Sequence, residues 1–309
     1  MAQLNTIVKL IKSGNKKRIG KAIALNISMS RYSHFIPDRL YIRLLYRFYF
    51  GKKLNLRNPV TFNEKLQWIK LYERKPIYTQ MVDKYWAKDY AAQRIGKEHI
   101  VKTYGVWDKF DDIDFDILPN QFVLKCTHDS GSIIICKDKN NLNMESTKKK
   151  LELGLATESF YYGREWPYKN VKPRIIAEEL LVDTDSNDLK DYKFFCFNGH
   201  VKCLKIDFER FINHRANYYD RNCKLLPFGE DECPPDFGIK LSIPKNLYQM
   251  IVYAEKLAQG TSFLRVDFYN IAGKIFFGEM TFFPASGFGT FTDENWDKKM
   301  GDWLMLDTN

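Results

Sequence analysis

The 309-residue chain carries only five histidines and six cysteines, and no two cysteines form a C-x-x-C pair, so zinc-finger and thioredoxin-type spacings are missing. No apolar stretch approaches the roughly 20 residues that span a bilayer, and the start has no h-region followed by a small-residue cleavage site. These absences predict a cytoplasmic protein whose reduced thiols, Cys126, Cys136, Cys196, Cys203, Cys223 and Cys233, serve as small core residues. The four Gly-Lys pairs continue with Ala22, Lys53, Glu98 and Ile275 rather than Ser or Thr, which excludes a P-loop. G-x-S-x-G, H-E-x-x-H and a G-x-G-x-x-G after a strand are also absent, so serine hydrolase, zincin and Rossmann dehydrogenase lose their motif support. Acidic residues are scarce at one end: Met1 to Asn58 hold 13 Lys and Arg and one acid, Asp38, a net of +12. The whole chain is 48 − 38 = +10, so residues 59–309 carry 10 − 12 = −2. The basic character belongs to one terminal arm, and the near-neutral body is not expected to bind specific nucleic acid.

With 45% hydrophobic and 28% charged residues the chain can bury a core. In the arm, Arg39, Arg43 and Arg47 share one helical face. Two readings stand level. One is a helix on an anionic membrane, each basic group contributing about 1 kcal/mol; the other is a helix packed on the body with a solvated basic stripe. Thr61 and Glu64 form a capping box that predicts a helix through Tyr72, broken at Pro76, and a second helix runs from Tyr78 to Ile95 and stops at Gly96. Residues 108–116 read as a turn-rich connector. Short β-type runs follow at 122–125 and 133–135, then a helix from Glu145 to Glu158 and a strand from Arg174 to Val182. A hairpin pairs 193–197 with 201–206 around Asn198-Gly199-His200; a helix over Leu247 to Ala258 ends at Gly260, and a last hairpin turns at Gly273. The expectation is an α+β chain in four parts: a basic helical arm (1–58), a helical segment of the body (59–120), and two α+β subdomains (121–182 and 183–309).

Two constellations carry chemistry. Lys125 ends a β run and is followed by the small-residue loop Thr127 to Ser132, which can present N–H groups and a point charge to phosphate oxygens. Asp267 and Glu279 lie on the two strands of the last hairpin, among Phe, Val and Ile; two carboxylates so placed resist burial unless they share a cation, which points to Mg²⁺. Tyr161, Tyr162, Arg164 and Trp166 could stack on a sugar, with packing slightly favoured. Arg210, His214 and Arg215 read as a solvated loop, of which one member, though not all three, could meet the triphosphate or an acidic substrate.

The stretches TFNEKLQWIKLYER from Thr61, VDKYWAKDY from Val82, FVLKCTHDSGSIIICK from Phe122, YYGREWPYKNVKPRIIAEELL from Tyr161, DLKDYKFFCFNG from Asp188 and FLRVDFYNIAGKIFFGEMTFFPASGFG from Phe263 resemble the ATP-grasp superfamily. Within it they are similar to the TupA-like group of teichuronopeptide and polysaccharide biosynthesis. The resemblance implies an ATP-grasp fold, two α+β subdomains clasping ATP. Lys84 and Lys125 would be the phosphate-binding lysines, Ser130, Gly131 and Ser132 the loop over the triphosphate, and Glu178, Glu179 and Leu181 the hinge for the base. Asp191 would touch ribose, and Asp267, Glu279 and Thr281 would hold Mg²⁺; Thr281 stands where the superfamily usually has Asn. Arg265, Lys125 and Ser286 would face the reacting groups. The implied activity is a Mg²⁺-dependent carboxylate–amine ligase acting through an acyl phosphate. It would join an amine or amino acid to a carboxylate-bearing glycan or nucleotide-sugar precursor in bacterial surface-polysaccharide (capsule) synthesis. Its place would be the cytoplasm, with peripheral contact at the inner membrane face through residues 1–58. Two rivals remain. Asp183-Thr184-Asp185 reads as the D-x-D of a metal-dependent glycosyltransferase, and a non-catalytic protein could dock its arm on anionic lipid or nucleic acid.

Overall fold

The computed structural model describes residues 16–183, 189–209 and 212–307. The arm forms α1 (Lys16–Met29) and α2 (Asp38–Phe50), the latter closed by Gly51 at φ 67°. Tyr41, Ile42, Leu45 and Tyr46 of α2 are buried with Leu54, Leu56 and Phe288, while Arg39, Arg43 and Arg47 stay exposed. The apolar face of α2 is therefore spent on the body, and its basic stripe lies in solvent. Arg164 locks this junction. It is buried, donates to the Ser33 carbonyl at 2.7 Å, pairs with Asp38 at 3.1 Å and lies 4.1 Å from the Tyr41 ring. Tyr161 stacks on His34 at 3.7 Å, so Arg164 and Tyr161 are packing groups and not a sugar platform.

The capping box forms as expected at the start of α3 (Phe62–Tyr72). The second helix does not run unbroken. It divides into α4 (Ile77–Val82) and α5 (Trp86–Ile95), with Asp83 and Lys84 in the break. An Asp side chain competes with helical hydrogen bonding. Here Asp83 accepts from the Tyr85 N–H at 2.9 Å and from Arg174 at 2.8 Å, and the Lys84 N–H leaves the helix to reach the Thr127 carbonyl at 3.0 Å.

Nine strands form two antiparallel sheets among the described residues. The smaller contains β1 (Thr103–Trp107), β2 (Phe122–Cys126), β3 (Ile133–Cys136) and β4 (Ile175–Glu179) in the order β1-β4-β2-β3. Phe122, Leu124 and Cys126 alternate onto a core with Leu151 of α6 (Met144–Leu155), so Lys125 falls on the opposite face. The larger sheet contains β5 (Asp191–Phe197), β6 (His200–Phe208), β7 (Arg215–Asp220), β8 (Phe263–Ile271) and β9 (Lys274–Thr281) in the order β7-β6-β5-β8-β9. Helix α8 (Leu247–Ala258), reached after the short α7 (Ser159–Gly163), covers one face with Met250, Ile251, Ala254 and Leu257; α9 (Asn295–Trp303) packs on α3. Strands β1 and β7 have no counterpart in the sequence expectation. Both are short and contain Gly or charged residues, which weakens their periodic signal.

Candidate active site

The polar face of the larger sheet carries a continuous ladder of charges, built by strict alternation. On β5, Asp191 and Lys193 point away from the core that Tyr192 and Phe194 enter, and the strand register sets Lys193 between Lys205 and Asp267. Contacts then run from Glu230 to Lys205 at 2.9 Å, Lys205 to Asp207 at 3.6 Å, Asp207 to Lys193 at 3.7 Å and Lys193 to Asp267 at 3.0 Å, with Asp191 also on Lys193. Arg265 completes it. Its guanidinium grips Asp267 at 2.7 and 2.6 Å, Glu279 at 2.8 Å and the Thr281 hydroxyl at 3.1 Å. Burial works against the charge of Asp267, Lys193, Lys205 and Arg265, yet their neighbours prevail: Arg265 and Lys193 hold the Asp267 carboxyl below its ordinary range, and the acids raise the Lys193, Lys205 and Arg265 groups.

Asp267 and Glu279 are direct cross-strand partners because of one extra residue. An unbroken register from the turn, where Phe268 faces Phe277, would oppose Asp267 with Gly278. A bulge at Gly278 instead sets Asp267 against Glu279, and a Cβ there would lie 3.0 Å from the Asp267 carbonyl. The bulge also shifts the inward positions from Ile275 and Phe277 to Met280, turning Glu279 and Thr281 to the polar face. Three cations, Lys193, Lys205 and Arg265, meet five carboxylates, Asp191, Asp207, Glu230, Asp267 and Glu279, so the ladder sums to 3 − 5 = −2. An all-oxygen donor set with two residual negative charges fits a hard divalent ion such as Mg²⁺.

The smaller sheet supplies lysines. Lys125 Nζ lies 2.5 Å from Glu178, whose other oxygen is 2.7 Å from Lys88. Burial alone would raise the Glu178 carboxyl, but Lys125 and then Lys88 hold it below its usual value. Lys84 donates to the Asp129 carbonyl in the loop, and its amine is lowered by burial while feeling Glu279, Lys125, Asp129 and Glu178. It thus stands between the acid pair of one sheet and the loop of the other. Tyr168 occupies the same gap: burial and then the Glu165 and Glu279 carboxylates push its phenol well up, with Arg265 opposing. In the loop, Ser130 and Gly131 are exposed at the tip, whereas Ser132 is buried and donates to Asp129. Gly154 of α6 permits this approach, since a Cβ there would sit 2.0 Å from the Ser132 hydroxyl.

The remaining expected residues lie at the margins. Glu178 and Glu179 are held within the β ladder, and the Glu179 N–H is taken by the Lys102 carbonyl at 2.9 Å; Leu181 lies past the strand in coil. Asp191 belongs to the charge ladder. Ser286 follows β9 in a left-handed turn, φ 53°, and both its carbonyl and hydroxyl accept from the buried Lys70, at 2.7 and 3.3 Å. Burial lowers that amine to about 7, although Glu165 opposes it. Of the D-x-D run, Thr184 and Asp185 lie outside the described residues, as do Arg210 and the first 15 residues of the basic arm. Sequence reasoning missed Lys88, Lys70, Glu165 and Tyr168. Lys88 had a signal, one helical turn after Lys84; the others depend on tertiary contacts.

No curated protein matches the chain. Among solved structures, D-alanine–D-alanine ligase from Bacillus anthracis complexed with ATP is 13% identical over 65% of this chain and 53% of its own, with a TM-score of 0.37. L-amino acid ligase from Bacillus licheniformis is 13% identical over 73% and 49%, TM-score 0.44. N5-carboxyaminoimidazole ribonucleotide synthetase, in its ADP complex, is 14% identical over 72% and 51%, TM-score 0.40. The match covers about half the length of each. The family model of TupA-like ATPgrasp proteins matches residues 64–305, a span holding both sheets, the lysines and the acid pair. The chain belongs to the TupA-like ATP-grasp family.

Proposed function

We propose that the chain is an ATP-dependent carboxylate–amine ligase of bacterial surface-polysaccharide synthesis, working in the cytoplasm. The observation that carries this reading is the facing of two charge systems: Asp267, Glu279 and Arg265 on the larger sheet, and opposite them Lys125 on the smaller sheet with Lys84 from the break between α4 and α5. Lys84 and Lys125 bind the triphosphate, Ser130, Gly131 and Ser132 close over it, and coil at Leu181, beyond Glu178 and Glu179, receives the base. Asp191 contributes to ribose or phosphate binding through its partner Lys193. Asp267, Glu279 and Thr281 are the residues that would hold Mg²⁺, which when bound neutralises phosphate charge. The γ-phosphoryl group passes to a carboxylate oxygen, giving ADP and an acyl phosphate. An amine then displaces phosphate and leaves an amide. Arg265 offsets charge on the reacting oxygens and Ser286 positions the acid, so the protein acts by orientation and electrostatics without a covalent nucleophile.

The acid is a uronic-acid glycan or nucleotide-sugar precursor and the amine an amino acid. The chain divides as arm (1–58), helical segment (59–120) and two clasping subdomains (121–182, 183–309). ADP release across uronic acids, nucleotide-sugars and amino acids, with product mass, tests the reading. ADP released only when acid and amine are both present, with a product lighter by one water, supports it; stabilisation by nucleotide-sugar but not by ATP contradicts it and favours the glycosyltransferase.

A further inference from the structure

We propose that His214 accepts the proton of the attacking amine, held for that task by the buried Asp207. The inference rests on the ligase reading and adds the acceptor side of the site. His214 lies in the connection from β6 to β7, and its side chain is 41% exposed. Its Nε2 is 3.5 Å from Asp207 Oδ2, and Asp207 is buried near the end of β6. Asp207 is a rung of the charge ladder, connected through Lys193 to Asp267 by contacts of 3.7 and 3.0 Å. Strands β6, β5 and β8 carry these rungs, so the Asp207 and Asp267 backbones stand two strand spacings, about 10 Å, apart, and His214 lies on the β6 side of the acid pair. An acyl group formed over the acids would meet its amine from that side.

An ammonium group has no lone pair and cannot attack. With Nε2–H directed at the Asp207 carboxylate, Nδ1 is left as the basic nitrogen, and half-exposure lets substrate reach it. The new N–C bond forms as the C–O bond to phosphate breaks. Of the two protons the ammonium loses, one passes to His214 Nδ1 and one leaves on inorganic phosphate; the imidazolium then returns its proton to water.

A cation site competes for the same cluster, because ligand atoms of Asp207, His214 and Cys233 lie within 4.8 Å of one another. Zinc bound there would take the His214 Nε2 lone pair and the Asp207 carboxylate together, so metal content decides between the two readings.

The test compares two nucleophiles with wild-type and His214→Gln full-length chains, using glucuronate and UDP-glucuronate as acids. Glycine must be deprotonated to react, whereas hydroxylamine is already unprotonated at neutral pH. The variant should lose about 100-fold or more in amide formation with glycine and retain most of its hydroxamate yield and its melting temperature. Equal losses with both nucleophiles, or no loss with either, overturn the proposal. So does one equivalent of zinc in the wild type that both His214→Gln and Cys233→Ser remove. Wild type that binds ATP but yields hydroxamate from neither acid refutes the ligase reading for these acids and the role of His214 with it.

Discussion

Replacing Asp267 by Asn and Glu279 by Gln should separate stability from ligand binding. Asp267 is buried and accepts three charge-assisted bonds, two from Arg265 at 2.7 and 2.6 Å and one from Lys193 at 3.0 Å. Asn removes the charge and leaves two buried cations facing each other, a loss of about 3–5 kcal/mol. At about 2 °C per kcal/mol for a chain of this size, the melting temperature should fall by roughly 6–10 °C. The Glu279 side chain is 44% exposed and has one Arg265 contact at 2.8 Å, so Gln should cost about 1 kcal/mol or less. Yet both variants should lose the stabilisation that ATP with Mg²⁺ gives wild type, about 2.7 kcal/mol at a hundredfold excess over Kd. Thermal and urea unfolding, without ligand and then with it, reads both effects. Equal destabilisation by the two changes refutes the assignment of Asp267 as the buried anchor, and an undiminished ATP–Mg²⁺ shift in Glu279→Gln refutes the metal role.

The Lys70 amine sits at about 7, below the ordinary 10.5 of the unfolded chain, so between these values the unfolded state binds more protons and stability rises with pH. Wild type should gain up to about 1.4 kcal/mol per pH unit above pH 7 relative to Lys70→Met, read from urea midpoints; parallel pH profiles contradict this. Glu178 is depressed, so its contribution is full above about pH 4.5 and is lost as pH falls through its folded value. Glu178→Gln leaves Lys88 and Lys125 uncompensated, and ATP should therefore raise the melting temperature of this variant more than that of wild type; an equal shift argues against a phosphate role for Lys125. For the arm, exposed Tyr32 and Phe35 flank the Arg39, Arg43 and Arg47 stripe. Flotation with vesicles containing anionic lipid, compared between wild type and a variant with the three arginines changed to Gln, tests the membrane reading of the arm: flotation lost only in the variant supports it, and wild type that does not float, or floats no better than the variant, overturns it.

Much of the scaffold was readable because local chemistry enforces it. Thr61 and Glu64 cap α3, Asn198 and Gly199 take the positive φ values of a tight hairpin, and α8 carries its apolar stripe every third or fourth residue. The break at Asp83 was not readable, since it depends on Arg174 and Thr127, far along the chain. The acid pair was legible as a juxtaposition. Its register was not, because the bulge at Gly278 decides which residue meets Asp267. The lysines around Glu178 and the ladder through Lys205 and Asp207 arise from strand order, which no local pattern encodes.

If ATP lies between the two sheets with a divalent ion between Asp267 and Glu279, a crystal structure with a non-hydrolysable ATP analogue and Mn²⁺, with anomalous scattering recorded, locates both. The expected result is a manganese peak bonded to both carboxylates, with the triphosphate against Lys84 and Lys125. A bound nucleotide elsewhere, or both acids still gripped by Arg265 with no anomalous peak at saturating analogue, would contradict it.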